Sequence, residues 1–291
     1  MSIGMNSTCI LCRVDRIKST VGPLGTDVQL TEFLKKWMAM AANYPPEVDS
    51  SRCGYYTDRL VEEFYGIDPA SLMAREREMS NRFVVERLDK IRSRVEAAED
   101  PVYTGLQYAI LGNYLDFAAL AGKISFSDLD SMLDKVRDMN IDETVVADFA
   151  RNLETAKNLL IFTDNAGEIG FDRVLAQVLQ KRYPQLTITF CVRGLPVAND
   201  ATREDAAAVG IEFPVIDSGN AVGGTAVELL SPEAKEAYET ADVILAKGMG
   251  NTESLFGCGK NVYYAFLIKC VRFMEVFNAP MMQAMFIKDK I

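Results

Sequence analysis

Asp164 and Asn165 close the apolar run NLLIFT, and Glu168 stands three residues further on, where a buried strand would hand over to a helix. The arrangement recurs downstream. After the run TITFCV comes RGLPVANDATREDA, with Arg193, Asn199, Asp200, Thr202 and Asp205; after VILA comes KGMGNTES, with Lys247, Gly248, Gly250, Asn251 and Glu253; the run VYYAFLI ends at Lys269 and Cys270. In an open parallel sheet the loops at the carboxyl ends of strands converge, and helix N-termini there offer unsatisfied N–H groups. Four such loops bring acids, amides and lysines to one edge. Carboxylates with a side-chain amide suit Mg²⁺ or Mn²⁺, while glycine-flanked N–H groups and a lysine hold a phosphate. The combination points to metal-assisted phosphoryl chemistry.

Each element also has a plainer reading. Asp164–Asn165 and Asn199–Asp200 serve equally as helix caps with acidic first turns, and GMGN as an ordinary turn. Lys269 is harder to place that way, because a lysine closing an apolar run must escape the core or find a partner. Asn113 and Asp116 lie one helical turn apart in GLQYAILGNYLDFAALAG and so share a face, which either reaches a cleft or satisfies itself at a packed interface. Cys9 and Cys12 have chelate spacing without a second such pair, which favours structural or idle thiols over a metal or redox role.

Composition narrows the chemistry. The chain has no histidine, which removes Ser-His and Cys-His nucleophile pairs, imidazole shuttles and His-ligated metal sites. A net charge of −10 argues against nucleic acid and anionic membranes as partners. The segment GMGNTE lacks the third glycine of a dinucleotide fingerprint, and GCGKN lacks the spacing and the hydroxyl residue of a P-loop. Ala166 stands where a haloacid-dehalogenase-type phosphatase carries its second aspartate, so Asp164 is not assigned as a covalent nucleophile. Six scattered cysteines, the lack of a signal-peptide pattern and the absence of an apolar run near the roughly 20 residues of a membrane span lead to the expectation of a reduced, cytoplasmic protein.

The elements that must position these residues fall into two kinds. Up to residue 157 the pattern is helical, as in TDVQLTEFLKKWMAMAANYPP, in a long helix opened by Asp68 and Pro69, and in GLQYAILGNYLDFAALAG. From residue 158 short β-rich runs alternate with helical or glycine-rich segments: LLIFTD, TITFCV, IEFPVI, VILAKG and VYYAFLIKC. Each is apolar at consecutive positions, as strands covered on both faces are. The expected fold is α/β, with a helical domain over 1–157 and an α/β domain over 158–291.

The motifs TDNAGE, PVANDAT followed by Asp205, KGMGNTESL and FLIKC, in that order behind a helical part containing CxxC and GNYLDF, resemble the domain-of-unknown-function family 89, the metal-dependent damage-control phosphatases, in its prokaryotic branch. The resemblance implies an α/β/α Rossmann-like domain, capped at its ligand edge by the helical part, and a divalent ion (Mg, Mn, Co or Ni) held by Asp164, Asn165 and Asp200. It implies phosphate contacts from Gly248, Met249, Gly250, Asn251, Thr252 and Lys269. Met249 stands where the family often has a larger residue or glutamine. Glu168, Lys247 and Glu253 are expected at supporting or substrate-contact positions, with Asn113 and Asp116 on the substrate side. Asp200 or Asp205 is expected to orient or deprotonate the attacking water. The expected activity is hydrolysis of small phosphate monoesters, sugar phosphates or damaged phosphometabolites. A phosphometabolite sensor without turnover and a carboxyl methyltransferase are the alternatives.

Overall fold

Strands β1 (Asn158–Phe162), β2 (Thr187–Val192), β3 (Val215–Asp217), β4 (Val243–Lys247), β5 (Val262–Leu267) and β6 (Ala284–Lys288) form one sheet in the order β3-β2-β1-β4-β5-β6. The structure is a computed structural model and describes residues 3–45, 48–116 and 126–289. All neighbours are parallel except β6, which runs antiparallel to β5. Every residue of β4 and β5 is buried, as expected for strands with helices on both faces. Of the run IEFPVI only Val215 and Ile216 enter β3, because Pro214 has no N–H to give a ladder. β6, outside the five expected runs, is half-buried along AMFIK and carries little β-branched signal.

The helices start and stop where the local chemistry dictates. Asn6 caps α1 (Ser7–Thr20) by accepting from the Cys9 N–H; Thr26 and Gln29 form a capping box on α2 (Asp27–Ala41); Asp49 caps α3 (Ser50–Tyr65), which ends on Gly66 at φ 66°. These three bury Ile17, Phe33, Trp37, Cys53 and Val61 in a small core of their own. The long helix expected after Asp68 is broken: Pro69–Met73 is a 3-10 turn, followed by α4 (Ala74–Val85) and α5 (Leu88–Glu96). Both pieces bury apolar residues in the core beneath the sheet.

Asp100 caps α6 (Pro101–Leu111), and the chain continues through α7 (Phe126–Asp134) and α8 (Glu143–Thr155). In the second half come α9 (Glu168–Arg182), α10 (Arg203–Ala208), α11 (Pro232–Thr240), α12 (Gly248–Leu255) and α13 (Val271–Phe277). The core of α4–α6 and α8 is continuous with that of α9 and the sheet, so the packed unit extends across residue 157. Close approach depends on small residues: a Cβ on Gly170 of α9 would come within 2.6 Å of Val84 of α4.

The helix expected over GLQYAILGNYLDFAALAG stops at Leu111. Gly112–Leu115 tightens to a 3-10 turn, with Asp116 just beyond, and residues 117–122 lie outside the described residues. A Cβ on Gly112 would sit 2.6 Å from Phe171 and 3.0 Å from Glu168, so glycine lets this turn reach the start of α9. That contact delivers Asn113 to the sheet's edge.

Candidate active site

The strand order reverses between β1 and β4, where a doubly wound sheet opens a crevice at its carboxyl ends. The loop after β1 and the loop after β2 meet there as an antiparallel bridge between Asn165 and Asp200. Ala201 donates its N–H to the Asp164 carbonyl (2.7 Å), and Ala166 donates to the Asn199 carbonyl (2.8 Å). Backbone hydrogen bonds therefore bring Asp164, Asn165, Asn199 and Asp200 together from segments distant in sequence.

Around this bridge the side chains are buried and closely bonded. Asp164 Oδ2 accepts from Asn113 Nδ2 (2.7 Å) and Asn165 Nδ2 (2.8 Å), and both amides also donate to Glu168 Oε2, at 3.0 and 2.7 Å. Asn165 Oδ1 accepts from Asn199 Nδ2 at 2.7 Å. Burial, together with the Glu168 and Asp200 carboxylates, pushes Asp164 well above the usual carboxylate range. Burial raises Asp200 too, against the pull of Arg193. The Arg193 guanidinium spans the loops, donating to Asp200 Oδ2 (2.7 Å), the Gly224 carbonyl (3.0 Å) and Asn251 Oδ1 (3.2 Å).

Beneath the acids lies a fully buried ionic group. Lys247 at the end of β4 donates to Glu168 Oε1 (2.7 Å) and the Ala109 carbonyl (2.8 Å), and its ammonium lies 2.8 Å from Asp172. Burial pushes Asp172 up to about 7 while Lys247 pulls it down; Lys247 stays raised, because its two carboxylates outweigh its burial. Glu168 and Lys247 are thus committed to one another, and Glu168 fixes the amides of Asn113 and Asn165.

On the other side of the crevice, GMGNT forms the first turns of α12, not a free loop. Gly248 has φ +76°, and a Cβ there would fall 2.0 Å from Asp164 Oδ2, so only glycine lets the helix start against the carboxylate. Asn251 is turned inward, donating to the Thr163 (2.9 Å) and Lys247 (2.7 Å) carbonyls, and Thr252 Oγ1 donates to the Gly248 carbonyl (2.8 Å). Their side chains hold the helix, which leaves the N–H groups of its first turn as the polar surface. Met249 Sδ accepts from the Lys269 N–H at 3.4 Å, and the Lys269 ammonium pairs with Asp116 at 2.9 Å.

Two expected residues face elsewhere. Asp205 has both oxygens engaged, Oδ1 by Asn81 (2.7 Å) and Oδ2 by the Thr202 N–H and hydroxyl (2.8 Å each), as the third residue of a capping box on α10. Glu253 is buried toward α3, where burial and Asp49 raise it to about 8. Sequence reasoning passed over Asp172 and Asn81. Asp172 had a local signal, a second acid one turn after Glu168 and so on the same helix face; Asn81, which accepts from the Gly167 N–H at 2.7 Å, had none.

The donor chemistry of Asp164, Asn165 and Asp200 fits a hard divalent ion: oxygen donors only, and crowded carboxylates whose raised values a cation would relieve. Among the described residues no three acidic or cysteine side chains gather as a ligand set, so such a site depends on the amide oxygen.

The Damage-control phosphatase ARMT1-like domain matches residues 5–285. The chain is 34 % identical over 208 residues to an uncharacterized protein of Methanocaldococcus jannaschii, a match covering 67 % of this chain and 66 % of that protein. It is 31 % identical over 239 residues to a protein of Archaeoglobus fulgidus named damage-control phosphatase, covering 79 % of this chain and 80 % of the relative. A damage-control phosphatase of Pyrococcus horikoshii is 31 % identical over 181 residues, 60 % of this chain and 61 % of the relative. The crystal structure of a DUF89 family protein from P. horikoshii superposes with a TM-score of 0.84 over 99 % of both chains at 23 % identity, a likeness of fold.

Proposed function

The chain belongs to the damage-control phosphatase ARMT1-like family, and from that premise we propose that it is a divalent-metal-dependent phosphatase acting on small phosphate monoesters such as sugar phosphates or damaged phosphometabolites. The observation that carries this reading is the bridge between Asn165 and Asp200, which lines up two carboxylates and an amide beside the start of α12. Asp164, Asn165 and Asp200 would hold the ion. When bound, it supplies positive charge against the phosphoryl oxygens and acidifies a water.

The protein's own groups do the rest. Lys269, steadied by Asp116, and the first N–H groups of α12 offset charge on the phosphoryl oxygens. The bonds that occupy both oxygens of Asp205 favour Asp200, anchored through one oxygen by Arg193, as the carboxylate that orients the water and takes its proton. With no imidazole in the chain, a carboxylate is the side chain proposed for that role. A small phosphorylated metabolite as partner and a cytoplasmic setting belong to the same proposal. Among the described residues no helix is long and apolar enough to cross a membrane.

The test is phosphate release from p-nitrophenyl phosphate by metal-stripped protein, with Mg²⁺, Mn²⁺, Co²⁺ or Ni²⁺ added back singly, beside Asp164→Ala. Metal-dependent release that falls by about 10²-fold or more in the variant is the expected result. Metal-dependent thermal stabilisation by a phosphorylated compound, with no release under any ion, would replace the phosphatase reading with that of a sensor.

A further inference from the structure

One face of α4 backs both loops of the bridge. Arg77 and Asn81 stand one helical turn apart and so share that face. Asn81 is buried and uses both ends of its amide. Its Oδ1 accepts from the Gly167 N–H (2.7 Å), just past Asn165, and its Nδ2 donates to Asp205 Oδ1 (2.7 Å) at the start of α10. The α4 main chain also lies against the first loop, since a Cβ on Gly167 would fall 2.7 Å from the Ser80 carbonyl oxygen. Arg77 reaches the second loop: its Nη1 donates to the Ala198 carbonyl (3.1 Å) and to the Ala70 carbonyl (3.3 Å) in the turn before α4.

The residues held in this way adjoin those that make the bridge. Gly167 follows Ala166, whose N–H donates to the Asn199 carbonyl, and Ala198 precedes Asn199. Ala198 has φ +45°, in the left-handed region that a residue with a Cβ seldom occupies, and such a conformation persists only where its surroundings impose it. The bond from Arg77 is one of those surroundings. From this turn the chain leads through Asn199, whose Nδ2 donates to Asn165 Oδ1 (2.7 Å) and the Leu115 carbonyl (3.2 Å), into Asp200. The main-chain bonds of the bridge join the two loops to each other; Arg77 and Asn81 join both of them to one helix.

We propose that Arg77 and Asn81 are positioning residues: by gripping the loops after β1 and β2 from one helix face, they set the distance from Asp164 and Asn165 to Asp200, and with it the affinity for a divalent ion. The inference rests on the metal site of the proposed function and is read by binding, without turnover.

The test is Mn²⁺ binding to the metal-stripped full chain, followed by the electron paramagnetic resonance signal of the free ion, with thermal unfolding measured beside it. Asn81→Ala is expected to raise Kd by about tenfold or more, the usual cost of removing a group that orients metal ligands. Arg77→Gln is expected to raise it in the same direction, and Arg77→Lys, which keeps a donor for the Ala198 carbonyl, to recover part of the loss. These two variants carry the test if Asn81→Ala does not fold. Thr57→Val separates position from stability: it removes a buried hydrogen bond from Trp37 Nε1 (2.9 Å) in the core of α1–α3, and is expected to lower Tm and leave Kd unchanged. An unchanged Kd in Asn81→Ala and Arg77→Gln, or a Kd raised as far by Thr57→Val, would overturn the inference alone. No Mn²⁺ binding by the unaltered protein, or binding that survives Asp164→Ala, would overturn the metal site and the inference together.

Discussion

Replacing Gly248 by alanine tests the geometry of the site most directly. The added Cβ would fall 2.0 Å from Asp164 Oδ2, 2.2 Å from Cγ and 2.5 Å from Oδ1. A carbon–oxygen contact needs about 3.3 Å, so something must move by about 1 Å. Asp164 has little freedom to give way, with Oδ2 bonded to Asn113 and Asn165 and its carbonyl held by Ala201. A catalytic group misplaced by that much costs about 10²-fold in rate. Positive φ at alanine adds about 1–2 kcal/mol of strain and overpacking about 1–3 kcal/mol, offset by roughly 0.4–1 kcal/mol from a stiffer unfolded chain. The net loss is about 2–4 kcal/mol, and at about 2–4 °C per kcal/mol Tm should fall by roughly 5–15 °C. Gly259→Ala is the internal control: its φ is +77°, but nothing lies within 4 Å of the new Cβ, so it carries strain without collision. It should lose about 1 kcal/mol and keep its turnover. Steady-state phosphate release and thermal unfolding of both variants decide the matter. Gly248→Ala with turnover within twofold of the unaltered protein, and a Tm matching that of Gly259→Ala, would refute the reasoning.

Two further outcomes follow from the buried charges. Glu253 keeps its proton in the folded protein to about pH 8, whereas its ordinary value is 4.5, so stability should fall as pH rises through that window and be lowest above it. Glu253→Gln should flatten that slope and unfold a few kcal/mol later than the unaltered protein at pH 9; parallel stability–pH curves would contradict the burial argument. Lys247→Met leaves Glu168 and Asp172 without their cation and should cost about 3–5 kcal/mol at pH 8, read as a lower denaturation midpoint; a midpoint unchanged there would show that the acids are balanced some other way.

The fold was legible where a signal is local. Consecutive apolar positions marked β1, β2, β4 and β5, and capping residues marked the starts of several helices. The strand-end rule converts positions in sequence into one edge in space, so Asp164, Asn165, Asn199 and Asp200 were visible as edge residues, while the choice of Asp164, Asn165 and Asp200 as a set came from the family resemblance. The 3-10 turn at Gly112–Leu115 was not, because it follows from how closely Gly112 approaches Phe171 and Glu168 of α9. The break between α4 and α5 was hidden by a continuous helical pattern. Asn81, Asp205 and Gly167 form a chain whose members are brought together only by tertiary packing, so Asp205 read as a catalytic candidate from its neighbours in sequence when its bonds make it a cap.

The bridge between the loops after β1 and β2 is made of main-chain groups, so the spacing of Asp164, Asn165 and Asp200 does not rest on their side chains alone. Isosteric changes such as Asp200→Asn can therefore remove a charge and leave the frame standing. Variants of that kind are natural substrate traps: a folded, inactive protein incubated with a metabolite extract could retain its physiological ligand for identification by mass spectrometry.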